Sequence, residues 1–336
     1  PRTPPVCVQQ STMDAQRIDS LPNLPARPLD GNKGTFGSVG IVGGCARGAN
    51  EDTLDDRLAD ALPAVMLGAP ALAAMGAIRA GCGLVKIAAP TPIIEAVLTL
   101  APFATGFGIE VDEHRAMIPS QAAAITDELV RTTNALVVGP GLGSGPEIDR
   151  LMARLITQED TPMIVDADAL NALSRIPDFA GDVRSAMILT PHPGEARRLM
   201  DALNLKSNPD GNDSERAKAC IALAQRIGCI VVLKGKGTVV SDGHRVWTCS
   251  CGHLAMGVGG TGDVLSGVIG SLIAQLRANP VAHQAIDLFT ASAIGVQAHA
   301  MAGEQWADQH HASGGMIASE LADECVPAIE SLRAKN

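Results

Sequence analysis

Short aliphatic runs recur along this chain, each followed by a turn and then a helical stretch, and this alternation constrains the fold more than any other feature of the sequence. The runs occupy residues 39–44, 84–88, 135–139, 162–166, 187–190 and 229–234, and several are apolar at successive positions. Segments of that length without polar alternation are strands covered on both faces. Helical stretches are expected at 68–80, 146–157, 170–173, 194–203 and 214–227, the first opened by Gly68-Ala69-Pro70 and stopped by Gly81. Strands alternating with helices give an α/β fold with a mostly parallel sheet between two helical layers. Residues 238–240 and 245–248, separated by Asp242-Gly243, read as a hairpin. Three helices, at 262–276, 281–302 and 314–332, close the chain. No internal boundary is visible, so residues 31–336 are expected to form one domain. Before it, residues 1–30 carry Pro1, Pro4, Pro5, Pro22, Pro25 and Pro28 and form an extended arm.

Composition narrows the partners. With no tyrosine, two tryptophans and five phenylalanines, the core must be aliphatic, and 35 glycines suit close backbone approach. The net charge of −10 argues against nucleic acid or an anionic membrane surface. Eight cysteines without a C-x-x-C pair read as reduced thiols of a cytoplasmic protein. Residues 61–78 carry no charge, a length that flags a membrane span, but Pro63, Gly68, Pro70 and Gly76 interrupt them. The acidic stretch 45–62 reads as a solvated surface insertion.

In an open parallel sheet, ligands bind beyond the carboxyl ends of the strands. Five loops gather at that edge. Gly139-Pro140-Gly141-Leu142-Gly143 leaves bare backbone for a ligand. Asp166 and Asp168 stand at another strand end, where they could orient a magnesium-bound water, although capping of the next helix is the better reading of Asp168. Thr190-Pro191-His192-Pro193-Gly194-Glu195 offers a histidine for a ligand and a glutamate able to meet Mg²⁺ through water. Lys234-Gly235-Lys236-Gly237-Thr238 suits a nucleotide phosphate or ribose. Lys33 is either a phosphate contact or a solvated loop residue.

The fifth loop is Gly257-Val258-Gly259-Gly260-Thr261-Gly262-Asp263, running into an apolar helix. A helix N-terminus has unpaired N–H donors and partial positive charge, which suits a phosphate. Asp263 at the same end is either a helix cap or a general base, and the spacing leaves both open. The window matches G-x-G-x-x-G literally, yet Cys249-Ser250-Cys251-Gly252-His253 before it is no buried strand, so the dinucleotide fingerprint is rejected.

Taken in order, Lys33 to Gly37, Gly68 to Pro70, Gly139 to Gly143, Asp166 to Asn171, Leu189 to Glu195, Leu233 to Thr238 and Gly259 to Asp263 resemble the ADP/ATP-dependent NAD(P)H-hydrate dehydratases, a branch of the ribokinase-like superfamily. The resemblance covers about residues 30–332. It implies a three-layer ribokinase-like sandwich and repair of hydrated NADH or NADPH: the 6-hydroxyl is phosphorylated from ADP or ATP with Mg²⁺, and phosphate is then eliminated. Under it, Asp263 is the base, and Ala69, Gly143, His192 and Asp263 meet the hydrate. Lys234, Gly235, Lys236, Gly237, Thr238 and Gly262 hold the nucleotide. Gly259, Gly260, Thr261 and Gly262 stabilise the moving phosphoryl charge, and Glu195 lies near the metal. Family habit points to ADP as donor. Departures are Asn32 and His253 where a histidine and an asparagine are usual, and the long stretch 45–62. No epimerising domain is present, so a separate epimerase would prepare the substrate. The arm and the exposed aliphatic helices point to a homo-oligomer, with a tetramer the expected assembly. Two rival readings share these residues: a ribokinase-like kinase of hydroxymethylpyrimidine or hydroxyethylthiazole, and a non-catalytic nucleotide sensor.

Overall fold

The computed structural model describes residues 15–46, 65–279 and 286–334. Its ten strands are β1 (Gln16–Arg17), β2 (Ser38–Val42), β3 (Leu84–Pro90), β4 (Thr105–Ile109), β5 (Ala135–Val138), β6 (Met163–Val165), β7 (Met187–Leu189), β8 (Ile230–Leu233), β9 (Val239–Ser241) and β10 (Arg245–Thr248). The helices are α1 (Gly68–Arg79), α2 (Thr91–Leu100), α3 (Pro119–Thr132), α4 (Pro146–Leu155), α5 (Asp168–Arg175), α6 (Phe179–Asp182), α7 (Pro193–Ala202), α8 (Asp213–Ile227), α9 (Thr261–Ala278), α10 (Leu288–His310) and α11 (Ala318–Ser331). All strands join one sheet in the spatial order β1-β10-β9-β8-β7-β6-β5-β2-β3-β4. Among the described strands only β9 runs against its neighbours.

Alternation along each strand divides the core in two. Val39, Ile41, Val137, Ile164, Ile188 and Val232 face one layer, into which α1, α2, α9, α10 and α11 pack. Their sequence neighbours Val42, Val138, Val165, Leu189 and Leu233 face the other, built from α3 to α8. Both faces being apolar is why the strands read as continuous hydrophobic runs. The result is the three-layer sandwich expected from the resemblance.

From β2 the chain moves outward through β3 to β4, then returns to place β5 on the other side of β2. That reversal opens a crevice at the carboxyl ends of β2 and β5.

Helices α1 and α9 lie against each other with little side chain between them. A Cβ on Gly267 would sit 2.0 Å from the Ala73 carbonyl oxygen, and one on Gly76 would sit 2.3 Å from that of Val264. Backbone on both sides cannot yield as a flexible side chain would. Gly267→Ala is therefore expected to lower stability by about 1–3 kcal/mol in urea unfolding. Gly181→Ala, where an added Cβ meets nothing within 4 Å, should be neutral. Equal midpoints for the two variants would contradict this packing.

Three elements between β3 and β5 are invisible in the sequence pattern: α2, β4 and α3. The run Thr105-Gly106-Phe107-Gly108-Ile109 lacks the strand signature because its glycines make room, a Cβ on Gly106 falling 2.6 Å from Leu98 of α2. At the other end, α10 starts at Leu288 rather than 281, behind Asp287, whose carboxylate accepts from the Thr290 N–H at 2.9 Å. Helix α9 extends to Ala278, and α11 starts at Ala318 rather than 314. Apart from Cys45 and Ala46, the acidic stretch 45–62 lies outside the described residues, as do 281–285 and 1–14. Residues 15–30 lie along the domain: β1 pairs with β10, and the Leu24 N–H donates to Leu332 at 2.8 Å. Lys33 is exposed before β2, at the amino ends of the strands, so its solvated reading holds. The uncharged stretch contributes the twelve-residue α1, and no described helix is long and apolar enough to cross a membrane. Cys82, Cys220, Cys229, Cys249, Cys251 and Cys325 form no disulfide, and Cys7 lies outside the described residues.

Candidate active site

The turns after β5, β6, β7 and β8 share one edge of the sheet, where α1, α5, α7 and α9 also begin. Helix N-termini pointing at one crevice give it a positive backbone field. Gly139, at φ 126°, lets the turns nest: a Cβ there would lie 1.7 Å from the Asp166 carbonyl oxygen. Gly141 sits close against Ala69 at the start of α1, with 3.1 Å from an added Cβ to that of Ala69. The Gly143 N–H donates to Asp168 at 2.8 Å. Asp168 is thus the first residue of α5 and not its side-chain cap, which corrects the capping expectation. Between the two acids, Ala167 adopts φ 48° and ψ −118°, a conformation that non-glycine residues rarely hold outside functional turns.

Lys234 stands at the centre. Its backbone N–H donates to Pro191 at 2.9 Å, joining the turns after β7 and β8. The ammonium lies 2.7 Å from Asp166 Oδ1 and 3.9 Å from Glu195 Oε2. It also reaches the mouth of α9, since a Cβ on Gly262 would stand 3.3 Å from Nζ. Burial works to lower its pKa, but Asp166, Glu195 and Asp263 overcome that and raise it. Lys234 is charged at any physiological pH. Behind the turn, Arg216 donates to the Leu233 and Lys234 carbonyls at 3.4 and 3.3 Å. Lys236 and Gly235 are exposed, Gly237 is half-buried at φ 65°, and Thr238 Oγ1 donates back to the Gly235 carbonyl at 3.0 Å.

His192 and Glu195 open α7 as a reciprocal cap. His192 Nδ1 accepts from the Gly194 N–H at 3.0 Å, and Glu195 Oε2 accepts from the His192 N–H at 2.8 Å. An accepting Nδ1 puts the ring proton on Nε2, 3.3 Å from Glu195 Oε1. Burial, then Lys234 and Arg198, hold the imidazole pKa below its ordinary value, so the ring is neutral. Burial pushes the Glu195 carboxyl up to about 7.

Asp263 occupies the third position of α9, while Gly260, left-handed at φ 93°, is the cap residue and Thr261 is pinned by its hydroxyl near Met256 and Val258. No hydrogen bond engages the Asp263 carboxylate among the described residues, which removes the capping alternative. Burial, followed by the charge of Asp166, pushes its pKa up to about 7; Asp168 and Glu195 add to the rise and Lys234 opposes it. A carboxyl poised near neutrality at the mouth of a helix is suited to take a proton from an attacking hydroxyl.

The structure therefore joins Ala69, Gly143, Lys234, Gly262 and Asp263 around one crevice, with the half-exposed His192 on its rim and the buried Glu195 beside Lys234. Gly259 has open space around it, and Gly260 turns the chain into α9. Sequence reading missed His299 of α10. This buried imidazole holds the Thr261 carbonyl at 2.8 Å, and nothing in an alanine-rich helix marks it. Among the described residues, no group of three or more His, Cys, Asp or Glu is arranged to hold a metal.

The sequence matches the model of the family described as NAD(P)H-hydrate dehydratase over residues 64–327. It is 33% identical to the ADP-dependent (S)-NAD(P)H-hydrate dehydratase of Neisseria meningitidis serogroup B, covering 92% of this chain and 88% of that one. A bifunctional NAD(P)H-hydrate repair enzyme of Coxiella burnetii is also 33% identical over 90% of this chain, which spans only 52% of that longer protein. The chain thus covers about half the length of the bifunctional relatives it matches. Among solved structures, an ADP/ATP-dependent NAD(P)H-hydrate dehydratase from Bacillus subtilis, co-crystallized with ATP/Mg²⁺, superimposes with a TM-score of 0.69. That pair is 25% identical, over 94% of this chain and 100% of the other. A glycine-lined helix mouth carrying one poised acid, on this sandwich and with these relatives, gives one conclusion: the chain belongs to the NAD(P)H-hydrate dehydratase family.

Proposed function

We propose that this chain dehydrates hydrated NADH and NADPH, a metabolite repair, using one phosphoryl group from ADP or ATP; it is then a carbon–oxygen lyase. The observation that carries the reading is the free Asp263 carboxyl, with its pKa near 7, beside Lys234 at the mouth of α9.

Hydroxide leaves poorly at neutral pH, so the 6-hydroxyl must first be activated. Asp263 takes the hydroxyl proton as the oxygen attacks the terminal phosphorus, and the bond to AMP or ADP breaks. Lys234 and the amides of Gly259, Gly260, Thr261 and Gly262 hold the charge on the phosphoryl oxygens. The ring nitrogen lone pair then expels phosphate, and loss of a proton from the adjacent carbon restores the dihydronicotinamide. Ala69, Gly143 and His192 would border the hydrate, with Lys234 to Thr238 along the nucleotide.

Three carboxyls (Asp166, Glu195 and Asp263) share the Lys234 ammonium, a shortage of positive charge that fits a hydrated Mg²⁺ entering with the nucleotide. Glu195, engaged with His192, would meet such an ion only through water, and bound Mg²⁺ would neutralise the donor phosphates. The Neisseria relative supports ADP as the donor. The lack of a disulfide at Cys82, Cys220, Cys229, Cys249, Cys251 and Cys325 supports a cytoplasmic setting. Leu254 and Ile317, 72% and 58% exposed, support a homo-oligomer such as a tetramer. The longer bifunctional relatives support cooperation with a separate epimerase.

The test is incubation with hydrated NADH, Mg²⁺ and either ADP or ATP, following dihydronicotinamide absorbance. Recovery with either nucleotide is expected. No recovery would reject the reading, and a phosphorylated hydroxymethylpyrimidine or thiazole alcohol in parallel assays would put a vitamin kinase in its place.

A further inference from the structure

His299 makes one polar contact with the catalytic mouth, from outside it. Its Nε2 lies 2.8 Å from the Thr261 carbonyl oxygen, and since a carbonyl only accepts, the imidazole donates. The ring is buried, 7% exposed, and burial pushes its pKa down to about 4, so it is neutral and supplies direction rather than charge.

A peptide unit is planar and trans, with its C=O and N–H pointing opposite ways. The Thr261 carbonyl and the Gly262 N–H belong to one such unit. Gly260 and Gly262 flank Thr261, and neither glycine restrains the unit by itself. The Gly262 N–H, in the first turn of α9, has no acceptor among the described residues, and a Cβ on Gly262 would stand 3.3 Å from the Lys234 ammonium. A hydrogen bond to one end of a peptide also polarises the other end.

We propose that His299 is a positioning residue for phosphoryl transfer: by holding the Thr261 carbonyl inward, it aims and strengthens the Gly262 N–H that receives the nucleotide phosphates. The proposal rests on the nucleotide-dependent reading above, but its test does not require the hydrate to be the substrate.

The test compares His299→Leu, His299→Asn and His299→Gln in the full chain. Gln can extend an amide donor toward the Thr261 carbonyl; Asn keeps a buried amide but falls short. Binding of Mg·ADP and Mg·ATP is read by calorimetry, and kcat and KM are read with hydrated NADH. The expected result is nucleotide binding weakened about 10-fold or more and kcat lowered by a similar factor in the Leu and Asn variants. KM for the hydrate should be unchanged, and Gln should recover most of both losses. If the Leu variant does not fold, the Asn–Gln pair carries the comparison. Nucleotide binding unaltered in the Asn variant, or equal losses in Asn and Gln, would overturn the proposal by reducing His299 to packing. A wild-type chain that binds nucleotide yet leaves the hydrate untouched would reject the dehydratase reading while the binding comparison still judges His299. Failure of the wild type to bind either nucleotide would overturn both.

Discussion

Asp263→Asn is expected to lower kcat by about 100- to 10,000-fold, the range in which a positioned general base contributes. The asparagine keeps the shape at the third position of α9 and removes only the proton acceptor. Nucleotide affinity should persist, because the Lys234–Thr238 turn and the Gly262 amide are untouched. In the wild type, the rate should rise with pH through about 7, as the Asp263 carboxyl loses its proton. That limb should vanish from the residual rate of the variant. The same substitution has a stability signature. The folded-state pKa of Asp263 is raised from 3.8 to about 7, so the folded protein binds that proton more tightly than the unfolded chain does, and stability drains away as pH rises between those values. Asparagine does not titrate. Asp263→Asn should therefore melt above the wild type at pH 8, with the gap closing as the pH approaches 4. A variant that loses nucleotide binding together with turnover, or melts lower at every pH, would make Asp263 a structural residue.

Lys234→Met should be the most damaging single change to both fold and site. Asp166 is 1% exposed and has Lys234 as its ion-pair partner at 2.7 Å. Removing one member of a buried pair costs about 3–5 kcal/mol, since the other charge is left without compensation. Glu195 and Asp263 would lose the same ammonium. Nucleotide binding should fail as well, because this is the cation at the mouth of α9. Adding Asp166→Asn should recover much of the stability, measured by urea unfolding, without recovering activity. A single variant as stable as the wild type would contradict the pairing, as would a double variant no more stable than the single one.

The layered fold was legible because burial on both faces of a parallel strand leaves no polar positions, so runs such as Ile230–Leu233 are distinctive. Elements at the sheet margin were not: β4 replaces side chains with glycines to admit α2, and α3 opens with Pro119 in a stretch of mixed polarity. The edge on which the candidate site lies followed from strand direction alone. Which side chains meet there did not. Asp166 and Lys234 are 68 residues apart, and His299 lies 38 residues from the carbonyl it holds. Those pairings follow from how β6 and β8 flank β7 and how α10 crosses beside α9, which local patterns do not encode. The opposite error occurred at Asp168, where a favourable capping residue serves instead to fix the Gly143 turn.

The central claim is that the substrate hydroxyl itself is phosphorylated at the mouth of α9 before it leaves. Hydrated NADH carrying ¹⁸O in its 6-hydroxyl, turned over with Mg²⁺ and ADP or ATP, tests this directly, with the released phosphate analysed by mass spectrometry. One ¹⁸O atom is expected in the phosphate for each dihydronicotinamide formed. Label found in water, with unlabelled phosphate, would mean that the hydroxyl departs without being phosphorylated and would contradict the role assigned to Asp263.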